Sequence, residues 1–124
     1  MRLWHISLIK VLPREQLVAQ WRELSACAGS IQKNGTPNHI LVNFILDYDF
    51  DHFISYAYYV RAEMTKRGYR TMNSVWEKIV ALKFNYLIVP QNELYKGKMN
   101  QEYYEICYFN LKEKYLCGGI SDED

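Results

Sequence analysis

An apolar pattern with helical spacing is clearest in residues 16–29, which read Gln-Leu-Val-Ala-Gln-Trp-Arg-Glu-Leu-Ser-Ala-Cys-Ala-Gly. Four apolar side chains recur there at i, i+4, i+7 and i+11 and so share one helix face: Leu17, Trp21, Leu24 and Ala28. Glu23 falls roughly on the opposite side, with the small residues Ala19 and Ala26 as its neighbours along the helix. The pattern predicts an amphipathic helix with an approachable carboxylate, although a solvated Glu23 beside a solvated Arg22 is the plainer interpretation.

The composition bounds the size and class of the protein. Its 124 residues are enough for one domain with a real core, and an apolar fraction of 49% is typical of a folded chain. Eleven tyrosines against five phenylalanines favour an aromatic core that includes hydrogen-bonding hydroxyls. The formal net charge of +1 is no nucleic-acid signature by itself, but removing the three acidic side chains of the tail at 121–124 leaves +4 on the rest.

The cysteines and the N-terminal residues bear on the cellular compartment of the protein. Cys27, Cys107 and Cys117 are odd in number and lack C-x-x-C spacing, which favours thiols in a reducing compartment over disulfides or a zinc site. The N-terminus lacks the apolar run and the small-residue cleavage site of a signal peptide, and no apolar run is long enough for a membrane span. We therefore expect a cytoplasmic protein without membrane contact.

The first half of the chain is predicted to hold an arm and two long helices. Residues 1–12 are short and apolar and are expected to form an extended arm across the core. Pro13 suits the first position of a helix that we expect to extend to about Ala28 or further, with Gly29 as its cap or a bend, before a loop over 30–39.

A second long helix is expected after an extended or irregular segment at 39–46. It covers 50–67, with Asp49 as its N-cap and Gly68 as its stop.

The second half is predicted to add a short helix and a final long one. Ser74 and Glu77 have the spacing of a capping box, which predicts a short third helix that ends near Lys83. Residues 85–90 are expected to be irregular or strand-like. Asn100 is expected to cap a final helix to about Tyr115, ended by the glycine pair at 118–119. Together, these elements predict a small, mainly helical domain.

One nucleophile is available although the common catalytic motifs are absent. The sequence has no phosphate-binding loop, dinucleotide-binding, hydrolase or zinc-protease motif, and its three histidines are scattered, so we expect no metal and no cofactor. The chain's α-amine has a pKa of about 7.7–8.0 against about 10.4 for lysine, so roughly a tenth of it is unprotonated at neutral pH. Such an amine can form a Schiff base with a sugar carbon if a carboxylate is near. Glu23 can supply that carboxylate if the arm folds over the first helix.

A resemblance gives this chemistry a context. Several residues match the pattern of the pyrimidine-dimer DNA glycosylases, the family of the phage endonuclease V: Leu17, Ala19, Arg22-Glu23-Leu24, Gly29 and Lys33. Trp21 stands where the family has an aromatic tyrosine, and Lys66-Arg67-Gly68 followed by Tyr69 forms a second match. The resemblance covers roughly half of the chain and fades beyond residue 70.

The resemblance implies a fold and a set of roles. The fold is an all-α, compact single domain of three to four helices with an N-terminal arm crossing the helices. It covers residues 1–120 and leaves 121–124 as an acidic tail. The implied catalytic groups are the α-amine of Met1 and the carboxylate of Glu23. Four side chains stand at positions implied to contact DNA: Arg2, Gln16, Arg22 and Lys33. The implied partner is damaged double-stranded DNA, bound by a monomer.

Two departures from the family pattern bear on these roles. Arg2 is bulky, and methionine removal is expected only before small residues, so Met1 stays and its own amine has to serve. Pairing Met1 and Arg2 with the threonine-arginine start of the mature family enzymes restores an arginine directly after the nucleophile. Ala26 replaces an arginine that contacts DNA in the family.

Three functions remain open at this stage. The first is a DNA glycosylase with abasic-site lyase activity, acting on a lesion such as a pyrimidine dimer. The second is a non-catalytic module of the same fold that binds nucleic acid or protein through the aromatic, lysine-bearing final helix. The third is a hydrolase that acts on another nucleoside or sugar substrate through Glu23.

Overall fold

Four α-helices account for most of the regular structure. A computed structural model describes residues 2–37, 39 and 42–116, with side chains as far as residue 114. The α-helices are α1 (Arg14–Asn34), α2 (Phe50–Lys66), α3 (Asn73–Val80) and α4 (Gln101–Leu116), and two 3-10 helices cover Ile6–Val11 and Asn43–Asp47. The described part of the chain contains no strand. The prediction of an all-α, compact single domain is confirmed, and the acidic tail at 121–124 lies outside the described residues.

The helix α1 continues beyond Ala28. It runs through Gly29 to Asn34 and ends at Gly35, whose φ of 77° lies in the left-handed region that glycine adopts without strain. The predicted loop from residue 30 was wrong, and the alternative of a helix that continues beyond Ala28 is correct. The last turns stay helical because Ile31 is packed in the core, with 7% of its surface exposed.

The N-terminal arm, residues 2–12, lies among the helices. It is extended over residues 2–5 and then forms the 3-10 helix Ile6–Val11, so the prediction of a wholly extended arm was right only for its first part. His5 caps this helix, since its Nδ1 accepts the Ser7 N–H at 3.1 Å. The side chains of Leu3 and Leu12 are both 1% exposed, so the arm is part of the core.

Arg67 holds the far end of the arm. Its guanidinium donates to the carbonyl of Leu12 at 2.7 Å and to that of Lys10 at 3.1 Å. The same group donates to Glu63 Oε2 at 2.8 Å, one helical turn earlier on α2. These bonds satisfy carbonyls at the end of the 3-10 helix and tie the arm to α2.

The boundaries of α2 agree with the prediction to within one residue. Asp49 Oδ1 accepts the Asp51 N–H at 2.9 Å, as expected of an N-cap, and Gly68 follows the helix with a φ of 83°. At α4, Asn100 Oδ1 accepts the Tyr103 N–H at 2.9 Å, so this predicted cap is also confirmed. The helix α4 is described as far as Leu116, and the glycine pair at 118–119 that was predicted to end it lies outside the described residues.

The start of α3 corrects the predicted capping box. Met72 is the N-cap and makes no side-chain cap bond, while Ser74 lies inside the helix. Arg61 sets the position of the helix start, since its Nη2 donates to Asn73 Oδ1 at 2.7 Å and its Nε donates to Thr71 Oγ1 at 3.0 Å. The start of α3 is therefore linked to α2 through side chains, and no capping box is present there.

The segment after α3 is irregular rather than strand-like. Side chains of α2 bond its backbone: Asp51 Oδ1 accepts the Leu87 N–H at 3.0 Å, and Ser55 Oγ accepts the Val89 N–H at 2.7 Å. The hydroxyl of Tyr59 donates to the Val89 carbonyl at 2.6 Å. The backbone groups that a strand partner would bind are thus satisfied by a helix. No helix in the described ranges has the length and apolar character needed to cross a membrane.

Two histidines accept backbone hydrogen bonds through Nδ1, and burial shifts the pKa of both. His5 Nδ1 accepts the Ser7 N–H, and His52 Nδ1 accepts the Tyr95 N–H at 2.9 Å. Burial lowers the pKa of His5, and a backbone hydrogen bond at Met99 opposes this shift. Burial also lowers the pKa of His52, opposed by the charges of Asp49 and Asp51.

We expect the free energy of unfolding to fall as the pH drops from 7 to 5.5. The unfolded histidines titrate near 6.5, above the folded ones, so protons bind the unfolded chain first and favour it. Urea denaturation over this range measures the slope. The double variant His5→Asn/His52→Asn keeps an acceptor at each position without the titration, and a slope that it leaves unchanged would contradict this assignment.

Candidate active site

Glu23 lies on α1 where the helix meets the start of the N-terminal arm. Its carboxylate is partly buried, whereas the neighbouring Arg22 is exposed. Ala19 and Ala26 are its small neighbours along the helix, and Ala26 is exposed. The carboxylate is therefore not simply solvated, because one of its oxygens is bound by a buried side chain.

Gln20 is that side chain, and it is 0% exposed. Its Nε2 donates to Glu23 Oε2 at 3.3 Å and to the Arg2 carbonyl at 3.0 Å. Its Oε1 accepts the Trp4 N–H and the Tyr56 hydroxyl, both at 2.8 Å. The reversed amide orientation would place Nε2 against the Trp4 donor and Oε1 against two acceptors, so the partners determine which way the amide points. Gln20 thereby links Glu23 to the first residues of the chain.

Two buried tyrosines complete the binding of the arm. The Tyr56 hydroxyl lies 2.6 Å from the Trp4 carbonyl as well as 2.8 Å from Gln20 Oε1, and it shares one proton between these two acceptors. Tyr103 on α4 donates its hydroxyl to the Leu3 carbonyl. The extended part of the arm is thus bonded to α1, α2 and α4, which satisfies polar backbone that would otherwise be costly to bury.

The electrostatic surroundings of Glu23 suit a group that exchanges protons. Burial raises the pKa of the Glu23 carboxyl, and the positive charges of the amino terminus, Arg22 and Lys114 oppose that shift. A carboxylate whose pKa is raised is a better general acid or base near neutral pH than a fully solvated one. Burial, together with the charge of Glu23, raises the pKa of the Cys27 thiol to about 11, so a thiolate nucleophile is not favoured there.

The other predicted site residues fall on two adjoining strips of α1. Gln16 shares its strip with Gln20 and Glu23, at i, i+4 and i+7, and its buried Oε1 has no hydrogen-bond partner among the described residues. Arg22 and Lys33 lie eleven residues apart on the exposed strip. The backbone of Arg2 is placed beside Glu23 through Gln20, and Met1 lies outside the described residues.

Sequence reasoning missed Gln20 and Tyr56. The available signal for Gln20 was its position between Leu17 and Leu24, at the edge of the apolar strip, where a polar side chain needs a partner. Nothing in the local pattern indicates that Tyr56, 36 positions away, supplies one.

The chain matches the model of a known protein family. The model of the pyrimidine dimer DNA glycosylases matches residues 1–77, which is more than half of the chain. The chain belongs to this family. Searches of the curated proteins and of the solved structures found no match.

Membership of the pyrimidine dimer DNA glycosylases gives the activity at family level, which is glycosylase chemistry on pyrimidine dimers in DNA. The matched span contains the arm, α1, α2 and the predicted site residues, and it ends within α3. The helix α4, which bonds the arm through Tyr103, lies beyond it. The described residues contain no group of three histidine, cysteine or acidic side chains that could hold a metal ion.

Replacing Gln20 by methionine should destabilise this protein by about 2–4 kcal/mol. The substitution conserves side-chain volume approximately but leaves the buried Trp4 N–H and the Arg2 carbonyl without partners. The midpoint of urea denaturation measures the loss. Gln32→Met is the matched control, since Gln32 is exposed and donates to Lys78 O on the surface, and we expect about 0.5 kcal/mol or less there. Equal losses at the two positions would contradict a central role for Gln20.

Proposed function

We propose that this protein is a DNA glycosylase and abasic-site lyase that acts on damaged duplex DNA, with pyrimidine dimers as its lesion. The α-amine of Met1 is the proposed nucleophile, and Glu23 is the proposed acid/base and electrostatic partner. The observation that carries the proposal is the position of the Gln20 amide, which binds both the Arg2 carbonyl and the Glu23 carboxylate. The carboxylate and the start of the chain are therefore neighbours.

Covalent geometry supports the choice of nucleophile. Consecutive Cα atoms are about 3.8 Å apart, so the position of Arg2 limits where the amine of residue 1 can lie. Arg2 is in turn placed by its hydrogen bond to Gln20. An N-terminal amine suits the task because its pKa is about 7.7–8.0, well below that of lysine.

The proposed reaction has two stages. The neutral amine attacks C1′ of the lesion nucleotide as the bond to the base breaks, and the base leaves with the electron pair and takes up a proton. The C1′–O4′ bond then opens, O4′ is protonated, and a Schiff base forms between the amine nitrogen and C1′. Loss of a C2′ proton expels the 3′ phosphate, and water releases the sugar and restores the amine.

Glu23 suits the proton transfers of both stages. As a carboxylate it stabilises the cationic sugar and accepts the proton that the attacking amine loses, and as an acid it protonates O4′. The raised pKa of Glu23 brings these two protonation states closer in energy near neutral pH. Arg2, Gln16, Arg22 and Lys33 are the proposed DNA contacts.

A second function has its own supporting observation. Three large apolar side chains of α4 are exposed, at 44%, 45% and 59% of their surface: Ile106, Tyr108 and Phe109. Tyr108 is also stacked parallel to Tyr104, with ring centroids 6.4 Å apart. Such a surface suits a non-catalytic module of the same fold that binds bases or a protein partner.

Glu23→Gln should abolish strand cleavage at a pyrimidine dimer while DNA affinity changes by no more than about threefold. The amide keeps an acceptor for Gln20 but cannot exchange protons. The free energy of unfolding at pH 7 should be unchanged or slightly higher, because the raised pKa of Glu23 means that its charged form is disfavoured in the folded state. Cleavage of a dimer-containing duplex, gel-shift affinity and urea denaturation are the measurements.

Glu15→Gln is the matched control for this experiment. Glu15 lies on the exposed surface of the same helix and should tolerate the change without loss of cleavage. Full activity of the Glu23 variant would refute the assignment of the carboxylate.

Borohydride should trap a covalent adduct between the chain and an abasic-site duplex. Reduction makes the Schiff base permanent, and peptide mass spectrometry should place the adduct on the Met1 amine. A chain extended by Gly-Ser before Met1 is the control, since it moves the amine away from Arg2 and should lose the adduct. An adduct on a lysine would displace Met1 as nucleophile, and no adduct despite DNA binding would favour the non-catalytic module.

A further inference from the structure

Lys78 reaches from α3 across the surface of α1. Its ammonium lies 3.4 Å from Ser25 Oγ, and its backbone carbonyl accepts from Gln32 Nε2 at 2.9 Å. A Cβ atom on Gly29 would lie 2.9 Å from both Cε and Nζ of Lys78. The lysine end therefore occupies the space over Gly29.

This ammonium has no acidic partner in the described part of the chain. Arg67, Lys83 and Lys96 each have a carboxylate within 4 Å, whereas Lys78 has none. The hydroxyl of Ser25 is its one side-chain hydrogen-bond partner there, at the long distance of 3.4 Å. A partly buried cation held in place without a counter-ion is suited to receive an anion from outside.

The position of Lys78 completes a row of cations. Arg22, Ser25, Gly29 and Lys33 follow one another at i, i+3, i+7 and i+11 and so share one strip of α1. At a rise of 1.5 Å per residue, Arg22 and Lys33 are about 16 Å apart along the axis. Lys78 lies between them, over the part of the strip where α1 itself carries no charge.

Small residues of α1 lie beneath the Lys78 side chain. Ser25 and Gly29 are small, partly buried residues beneath the Lys78 side chain, and the exposed Ala26 beside them is also small. These small residues let the Lys78 end lie against α1, so a phosphodiester backbone would meet the ammonium over this part of the helix. About 16 Å of duplex axis spans about five phosphates of one strand, so three cations match a single continuous segment of it.

We propose that Arg22, Lys78 and Lys33 form a phosphate-binding row for one strand of the DNA, with Lys78 as its central contact. The inference rests on the proposed function for the identity of the polyanion. It adds to the predicted contacts a residue beyond the family match, which ends at residue 77. It also accounts for a glycine in the middle of α1, where alanine favours helix more but would displace the lysine.

The first test is the salt dependence of DNA binding. For each variant, affinity for an undamaged duplex is measured by fluorescence anisotropy between 50 and 200 mM salt. Lys78→Gln should reduce the slope of log K against log salt by about 0.9, the value for one lost phosphate contact. Lys96→Gln removes the same charge from an exposed lysine that is paired with Glu93, and its slope should stay within error of the parent. An unchanged slope for the Lys78 variant would overturn the row.

The second test uses Gly29. Gly29→Ala should displace the lysine end without unfolding the helix, and so should lower the slope in the same way as Lys78→Gln. The double variant should show no further loss, since both changes remove the same contact. Additive losses would mean that Gly29 and Lys78 act separately.

The row and the proposed chemistry can fail independently. Binding with the expected Lys78 effect but no borohydride adduct would refute the glycosylase mechanism and keep the row. An adduct with an unchanged Lys78 slope would do the reverse. A parent protein that binds no duplex at all would overturn both.

Discussion

The carboxamide of Gln20 is the interaction on which the structure depends most. It is fully buried, its amide protons bind Arg2 and Glu23, and its oxygen accepts from Trp4 and Tyr56. A buried amide with all its partners is well tolerated, whereas one that loses partners is costly, so this group selects a single position of the arm. The same bonds that let the arm enter the core bring the start of the chain to a carboxylate.

The tyrosine-rich composition has its structural explanation in the same network. Tyr56 and Tyr103 fill the core with their rings while their hydroxyls bind carbonyls of the arm. Phenylalanine at these positions would bury equal apolar surface but leave those carbonyls without donors. Arg67, at the end of α2, likewise donates hydrogen bonds to carbonyls at the far end of the arm. The arm is therefore fixed at both ends by side chains of other elements.

The two sides of α1 have separate electrostatic tasks in the function that we propose. One strip holds Gln20 and Glu23, where burial raises the pKa of a carboxyl beside the start of the chain. The adjoining strip carries Arg22 and Lys33, and Lys78 lies between them over the small residues Ser25 and Gly29. A duplex bound along the second strip would lie next to the first. Its phosphate charge would be matched by cations that form no salt bridge within the described residues.

The sequence by itself determined the features that depend on neighbours along the chain. These include the helical class, both ends of α2 and the Asn100 cap, because caps and apolar periodicity act within a few residues. The tertiary structure decided the rest: the length of α1, the start of α3, the position of the Lys78 side chain over Gly29 and the hydrogen bonds of Gln20. Their partners lie far away along the chain, as with Trp4 and Tyr56, 52 positions apart, and Leu3 and Tyr103, 100 positions apart. Only a folded chain brings such groups together, so no local pattern could reveal them.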